Sequence, residues 1–254
     1  MERTHFWELA APLREPVPVL VAYDAGVAAI CQLAARFDEA SWGAQTPLPE
    51  WRAFELAGHL RCVADDLHEY LDEAPVSRYA RLMATGVHPD TLGRKIARQN
   101  AAELAALADA PPAEHIAVFE VSARRYAARL GAVWDLPHHQ YRDTVVTVGG
   151  MAGAACAEWH LHAWDLARTL GLDYRPADPG AVLAGWRAGM PHLPLPHGSP
   201  GAKAVRHLDA WHAVLAASGR IPRSAQDSSA VPAWLLRALQ PARLRLRRKE
   251  KQRQ

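Results

Sequence analysis

Two histidines, a glutamate and an aspartate crowd one short stretch, AEWHLHAWDLARTLG, at residues 157–171. Successive residues of a helix rotate by about 100°, so on a helix His162 lies about 40° from Glu158 and Asp165 about 20° to the other side. These three share one face. His160 lies about 160° from Glu158 and points elsewhere, as does Cys156. A carboxylate and an imidazole four residues apart can grip one divalent ion. Two ligands do not make a site, because a catalytic zinc takes three protein ligands and keeps an open position. The candidate for the third is His59 in FELAGHL, within a mostly apolar helical pattern. Spacing alone leaves two plainer readings open: an intrahelical Glu158–His162 contact on a half-exposed face, and a core His59 satisfied by a hydrogen bond.

Other polar residues have competing readings. Glu55 stands four residues before His59. That arrangement permits a dinuclear, carboxylate-bridged centre, but an acid in a first helical turn is favoured by the macrodipole without any metal. Cys62 and Asp66 fall roughly on the His59 face. A structural cysteine and an exposed acid are the expectation there. Asp165 is placed to orient a ligand from behind, to pair with an arginine, or to aid helix packing. Trp51, Trp159 and Trp164 read as packing residues. His138, His139, His192 and His197 fall in loops, where solvation is expected, although the proline-rich loop can bring His192 or His197 toward a pocket. Arg142, Arg168 and Arg175 are candidate anion-binding groups, and nothing in the sequence selects among them.

The elements that must hold these residues are mainly helical. Apolar residues recur at three- and four-residue spacing over 17–39, and SWGAQTPLPE at 41–50 breaks the pattern with Gly and two prolines. Helices follow over about 51–71, over 91–110 after a candidate N-cap at Asp90, and from Pro111-Pro112 to about 132. Residues 134–140 read as loop. YRDTVVTVGG reads as a short extended piece before the helix that carries Glu158, which ends at Gly171. Two shorter helices are expected near 178–189 and 202–218, separated by MPHLPLPHGSPG. Strand signal is weak and no solenoid-length repeat is present. The expectation is an all-α, four-helix bundle with further short helices on its C-terminal side.

Half of the 254 residues are hydrophobic, enough for a large core without staples. No apolar run looks long enough to cross a bilayer, and the first residues do not resemble a signal peptide. Three scattered cysteines give no disulfide framework and fit a reducing compartment. A soluble, cytoplasmic protein is expected. The net charge is +2, but PARLRLRRKEKQRQ at the C-terminus carries seven Lys/Arg against one Glu, so the body is mildly acidic. A basic tail can bind nucleic acid or an anionic surface. The expectation is a solvated terminus, with neither a nucleic-acid nor a membrane partner.

The order of features resembles a known family. DEASWGAQTPLPEWRAFELAGHL at 38–60 is similar to the run that opens the second helix of mycothiol-dependent maleylpyruvate isomerase and its relatives in the DinB-like superfamily. EWHLHAWDLARTLG at 158–171 resembles that family's E-x-x-x-H-x-W-D-L-A-R-x-x-G, and HLDAWHAVLAASGRIP at 207–222 is similar to the run that often ends the metal-binding domain. The resemblance implies a DinB-like bundle over 1–222, with 223–254 a C-terminal extension carrying the basic tail. It implies a divalent metal, usually zinc, held by His59, Glu158 and His162, with mycothiol or a related thiol as cosubstrate. A metal lowers the pKa of a thiol it binds. The thiol would then attack a small electrophile, in a transferase or isomerase reaction. The isomerase itself has a further α/β domain. The stretch after residue 222 is too short for one, so isomerisation of maleylpyruvate is not the expectation. A non-catalytic metal-binding stress or regulatory protein is the main alternative, and a metal-free bundle acting through its tail is the third.

Overall fold

The computed structural model describes residues 13–49, 51–107, 109–193 and 209–221. Four long helices form the bundle: α1 (Pro16–Ala34), α3 (Ala53–Asp72), α6 (Pro112–Arg129) and α7 (Val148–Thr169). Around the ring, α1 packs on α7 and α6, and α3 packs on α6 and α7. The small helix α2 (Glu39–Trp42) sits in the link from α1 to α3. Its start is fixed by Asp38, whose carboxylate accepts from the Ser41 amide at 2.8 Å.

Aromatic rings fill the middle of the bundle. Trp159 of α7 is fully buried, with its ring edge-on to Tyr23 of α1 and to Phe119 of α6, centroids 5.9 and 4.9 Å away. The Tyr23 hydroxyl donates to the Ala123 carbonyl at 3.0 Å and so ties α1 to α6. Burying each such side chain stabilises the fold by about 1.5–3 kcal/mol. Trp164 is partly buried against the same core.

A second layer leans on the open side of the bundle. It comprises α4 (Arg78–Ala84), α5 (Pro89–Ala106) and the hairpin β1 (Pro137–Tyr141)–β2 (Thr144–Thr147). Met83, Leu92 and Tyr141 make a small core of their own there. The helix α8 (Pro179–Gly189) lies against α7 and touches β2, and α9 (Ala210–Ala217) packs on α8. The approach of α7 to α8 requires glycine: a Cβ on Gly153 would stand 2.6 Å from the Cα of Gly185.

The bundle and most helix limits match the sequence expectation, and Gly171 adopts φ 71° just past α7 as a C-terminal glycine should. Several details differ. Residues 137–141 are a strand, not loop. The helix α4 had no signal of its own. Asp90 lies inside α5 rather than capping it. The helix α7 begins at Val148, with Thr147 as cap accepting from the Gly150 amide at 3.1 Å. Gly149-Gly150 look like a breaker, yet they serve close packing: a Cβ on Gly149 would overlap the Trp134 indole. Contrary to expectation, α1 is long and apolar enough to cross a membrane by length and composition, with a mean hydropathy of 1.7. Here it is a bundle element, with Val19, Tyr23, Val27 and Ile30 buried. The basic tail, the division at residue 222, His197 and the stretch 202–208 lie outside the described residues.

Candidate metal centre

The helix α3 brings His59, and α7 brings Glu158 and His162, to one point inside the molecule. One ligand atom from each lies within 4.8 Å of the other two. The imidazole planes of His59 and His162 are nearly perpendicular, with centroids 5.2 Å apart. His162 Nε2 is 3.2 Å from a Glu158 carboxylate oxygen. His59 Nδ1 and His162 Nε2 are both buried without a hydrogen-bond partner. Two buried, unpartnered imidazole nitrogens beside a carboxylate are the donor set a divalent ion takes, and a buried orphan of this kind calls for an explanation.

His162 is held from behind. Its Nδ1–H donates to Asp165 at 3.0 Å, which leaves the Nε2 lone pair directed at the centre. Asp165 is fully buried and receives Arg220 on both oxygens, at 2.9 and 2.6 Å. Burial alone would raise the Asp165 pKa, but the Arg220 charge outweighs it and holds the carboxylate ionised. For His162, burial pushes the pKa down, yet the Asp165 hydrogen bond and the Glu158 carboxylate beside it outweigh that and leave it raised. Burial likewise disfavours the Glu158 charge, and the contact with His162 overcomes it. His59 has no such support. Burial, then the charge of His162, depresses it to about 3.

The loop before α3 is built to cover His59. The Gln45 side-chain amide donates to the carbonyls of Leu48 and Trp51, at 2.8 and 2.7 Å. The Thr46 hydroxyl donates to the Trp51 carbonyl at 2.7 Å. The fixed Trp51 indole lies 4.5 Å from the His59 ring. Thus Trp51 packs, as expected, and also walls the centre. Glu55 bears out its plainer reading: its carboxylate accepts from the Arg52 amide at 2.8 Å, as a helix-start box.

A cavity of about 240 Å³ opens from the triad. Its walls run from Trp51 and Met151 past Val63 and Leu67 to Leu92 and Ile96, with Asp66 and Glu103 at a polar margin. Asp66 is no free surface acid. It accepts from Tyr70 and Arg78, and burial pushes its pKa up to about 6. Trp186, Met190, His192 and Leu193 close one side, and Ser218 and Arg220 reach in from the turn after α9.

The three described loop histidines, His138, His139 and His192, behave differently from a solvated set. His192 does face the cavity, as the proline-rich loop allowed. His138 and His139 are fully buried, against expectation. An irregularity in strand register between Pro137 and His139 breaks the alternation, so consecutive side chains both turn inward. Of the arginines, Arg168 and Arg175 are spent on Asp173 and Asp209, and Arg142 lies over Tyr141. The arginine that matters is Arg220, which sequence reasoning passed over although it sits in the quoted GRIP. His160 is a structural histidine: its Nε2–H donates to the Ala22 carbonyl at 2.8 Å and its Nδ1 accepts from Tyr174 at 2.6 Å.

A helical bundle with a His-His-Glu cluster in the lining of a cavity is the class this fold defines. The family model described as the mycothiol maleylpyruvate isomerase N-terminal domain matches residues 23–167. That match spans more than half of the chain, and the chain belongs to this family. No curated protein and no solved structure matched the chain. The matched segment includes His59, Glu158, His162 and Asp165, whereas α8, His192, α9 and Arg220 lie beyond it.

Proposed function

We propose that this chain is a cytoplasmic, divalent-metal-dependent thiol transferase or isomerase acting on a small electrophile. His59, Glu158 and His162 hold the ion, zinc first among candidates, and mycothiol or a related low-molecular-weight thiol is the cosubstrate. The observation that carries this reading is the pair of buried, unpartnered imidazole nitrogens meeting a carboxylate among the residues that line a cavity. Family membership supports it, since the name of the family couples this domain to mycothiol. Two nitrogens and one carboxylate leave coordination positions open, so the residues fit a catalytic rather than a closed structural ion. A bound ion would act as a Lewis acid that favours the ionised thiol at neutral pH.

The chain's own residues do the rest. Asp165 and Arg220 fix the His162 tautomer and ring direction, and such support is worth about 10–100-fold in metal affinity. Trp51 covers His59 and keeps water from its face. The apolar walls receive the organic body of a substrate and exclude bulk solvent, which strengthens every polar contact inside.

The test is elemental analysis of the full-length protein and of His59→Ala, Glu158→Ala and His162→Ala. About one equivalent in the wild type and background levels in the variants is expected. Equal, substoichiometric metal in all four would sink the site. Calorimetry of mycothiol against zinc-loaded and chelated protein then separates an enzyme from a non-catalytic metal-binding protein. The enzyme reading requires saturable, metal-dependent heat and turnover with an added electrophile.

A further inference from the structure

Tyr79 stands in the first turn of α4. The start of that helix is fixed by Ser77, whose hydroxyl accepts from the Ala80 amide at 3.1 Å. The Tyr79 ring is held on two sides: it stacks on Tyr70 with centroids 5.0 Å apart, and it meets His139 edge-on at 5.0 Å. The chain has six tyrosines, all of them described. The hydroxyls of Tyr23, Tyr70, Tyr141 and Tyr174 are each hydrogen-bonded within the protein. That of Tyr126 is sealed in the core without a partner. The Tyr79 hydroxyl also has no hydrogen-bond partner among the described residues, but it is not one of the sealed atoms. It therefore keeps surface that a small molecule can reach.

That surface belongs to the cavity. Tyr79 lines it together with Glu158, and the Glu158 charge acts on the hydroxyl. The polar groups at the margin are spent on one another: Gln99 donates to Asp66 at 3.2 Å and to Glu103 at 2.9 Å, and Tyr70 donates to Asp66 at 2.7 Å. Tyr79 thus brings an unused O–H to the space that the His-His-Glu cluster borders. Burial, and then the Glu158 charge, raises the phenol above its ordinary range, so near pH 7 it keeps its proton and acts as a donor. The partner such a group takes is an acceptor oxygen, neutral or anionic. The space suits a single substituted ring, since an apolar cavity of ~150 Å³ takes benzene and this one measures about 240 Å³.

We propose that Tyr79 is a catalytic residue that holds the electrophile by its oxygen: the hydroxyl donates a hydrogen bond to the oxygen of a conjugated carbonyl compound and stabilises the charge that collects there as the thiol adds. The sulfur of the ionised thiol forms the new bond to the β carbon. The carbon–carbon π pair moves through the conjugated system onto the oxygen, and the Tyr79 O–H donates to that oxygen without giving up its proton. The proton that the thiol released returns to the α carbon, so nothing is oxidised or reduced. The proposal rests on the preceding reading for the thiol and the electrophile; the open hydroxyl is a property of the cavity itself.

The test is Tyr79→Phe, which removes the hydroxyl and keeps the ring. It breaks no hydrogen bond of the protein, so the variant is expected to unfold in urea at the wild-type midpoint and to carry wild-type metal. The probe is acetophenone labelled with carbon-13 at the carbonyl, an unreactive ketone. It is bound to full-length protein, zinc-loaded and chelated, and followed by calorimetry and infrared difference spectroscopy. In the chelated wild type the carbonyl stretch is expected at lower wavenumber than in hexane. In chelated Tyr79→Phe that shift is lost and the ketone binds about three- to tenfold more weakly, whereas ethylbenzene, which has no acceptor, binds both proteins alike. The proposal is overturned if the stretch is the same in both proteins, if ketone and hydrocarbon weaken together, or if acetophenone does not saturate. Turnover of mycothiol with cyclohexenone is then measured on the zinc-loaded samples. A fall in kcat of about 10²–10³-fold is expected in Tyr79→Phe, and an unchanged kcat overturns the charge-stabilising role. Metal equal in wild type and His162→Ala, with no turnover, removes the metal reading, while a carbonyl stretch that depends on Tyr79 upholds the hydrogen bond.

Discussion

The two faces of α7 carry one histidine each, two residues apart, and they are built for opposite ends. On the α1 side, His160 is saturated: one nitrogen donates to Ala22, the other accepts from Tyr174, and the surroundings are closed. On the α3 side, His162 is bonded on one nitrogen only, and the other is buried beside Glu158 at the end of a cavity. Burial alone does not tell them apart, since both rings are under 5 % exposed. The difference is the unspent lone pair. A histidine with both nitrogens bonded holds the fold together, whereas one with a nitrogen left over is available to a ligand.

The widest separation should appear in metal content. His162→Ala is expected to lose nearly all stoichiometric metal while His160→Ala keeps it, as read by elemental analysis. Equal loss in both would erase the contrast between the faces. Next comes Asp165→Asn, which weakens the hold on His162 and leaves Arg220 buried without its counter-charge. Metal affinity is expected to fall by about 10–100-fold and stability by about 3–5 kcal/mol, measured by competition with a chromophoric chelator and by urea unfolding.

His160→Ala removes two buried hydrogen bonds and leaves a void. A loss of about 2–4 kcal/mol is expected without change in metal content. The same residue gives a pH signature. Burial holds it neutral with a pKa of about 4, against an ordinary value of about 6.5 in the unfolded chain. As pH falls through that window the unfolded state takes up the proton first, so stability is lost on acidification from about 6.5 to about 4, at about 1.4 kcal/mol per unit for one such group. The sign follows because the unfolded state binds more protons there. His138 and His192 are depressed to about 4 by the same cause. His160→Gln should therefore flatten the profile in part, and a steeper profile would refute the assignment. The smallest effect concerns Glu55. Glu55→Ala should cost about 1 kcal/mol through its helix-start bond and leave one metal per chain. A fall in metal content would revive the dinuclear alternative.

Helical phase explains why much of this was legible in one dimension. A fixed rotation per residue puts Glu158, His162 and Asp165 on one face and His160 on another whatever else the chain does, and the structure has that division. The metal-free reading of Glu55 was similarly available, because an acid in a first helical turn is favoured by the macrodipole in any helix. The burial of His138 and His139 was not readable. It depends on a register irregularity in a two-stranded ribbon that has almost no propensity signal. Gly149-Gly150 misled for a related reason: glycine marks either a break or a close approach, and only the neighbouring Trp134 decides which.

The sequence by itself determined the helical bundle, the sides of α7 and the pairing of a carboxylate with one particular histidine, because these follow from local periodicity. It also carried the family motifs, which placed His59 in the cluster from about a hundred residues away. Only the tertiary structure decided that Arg220 grips Asp165, that Trp51 shields His59, and that His192 lines the same cavity. Each of those depends on where a side chain from one helix end or turn meets a distant helix. That meeting is set by packing distance and hydrogen-bond saturation, quantities that spacing along a chain does not contain.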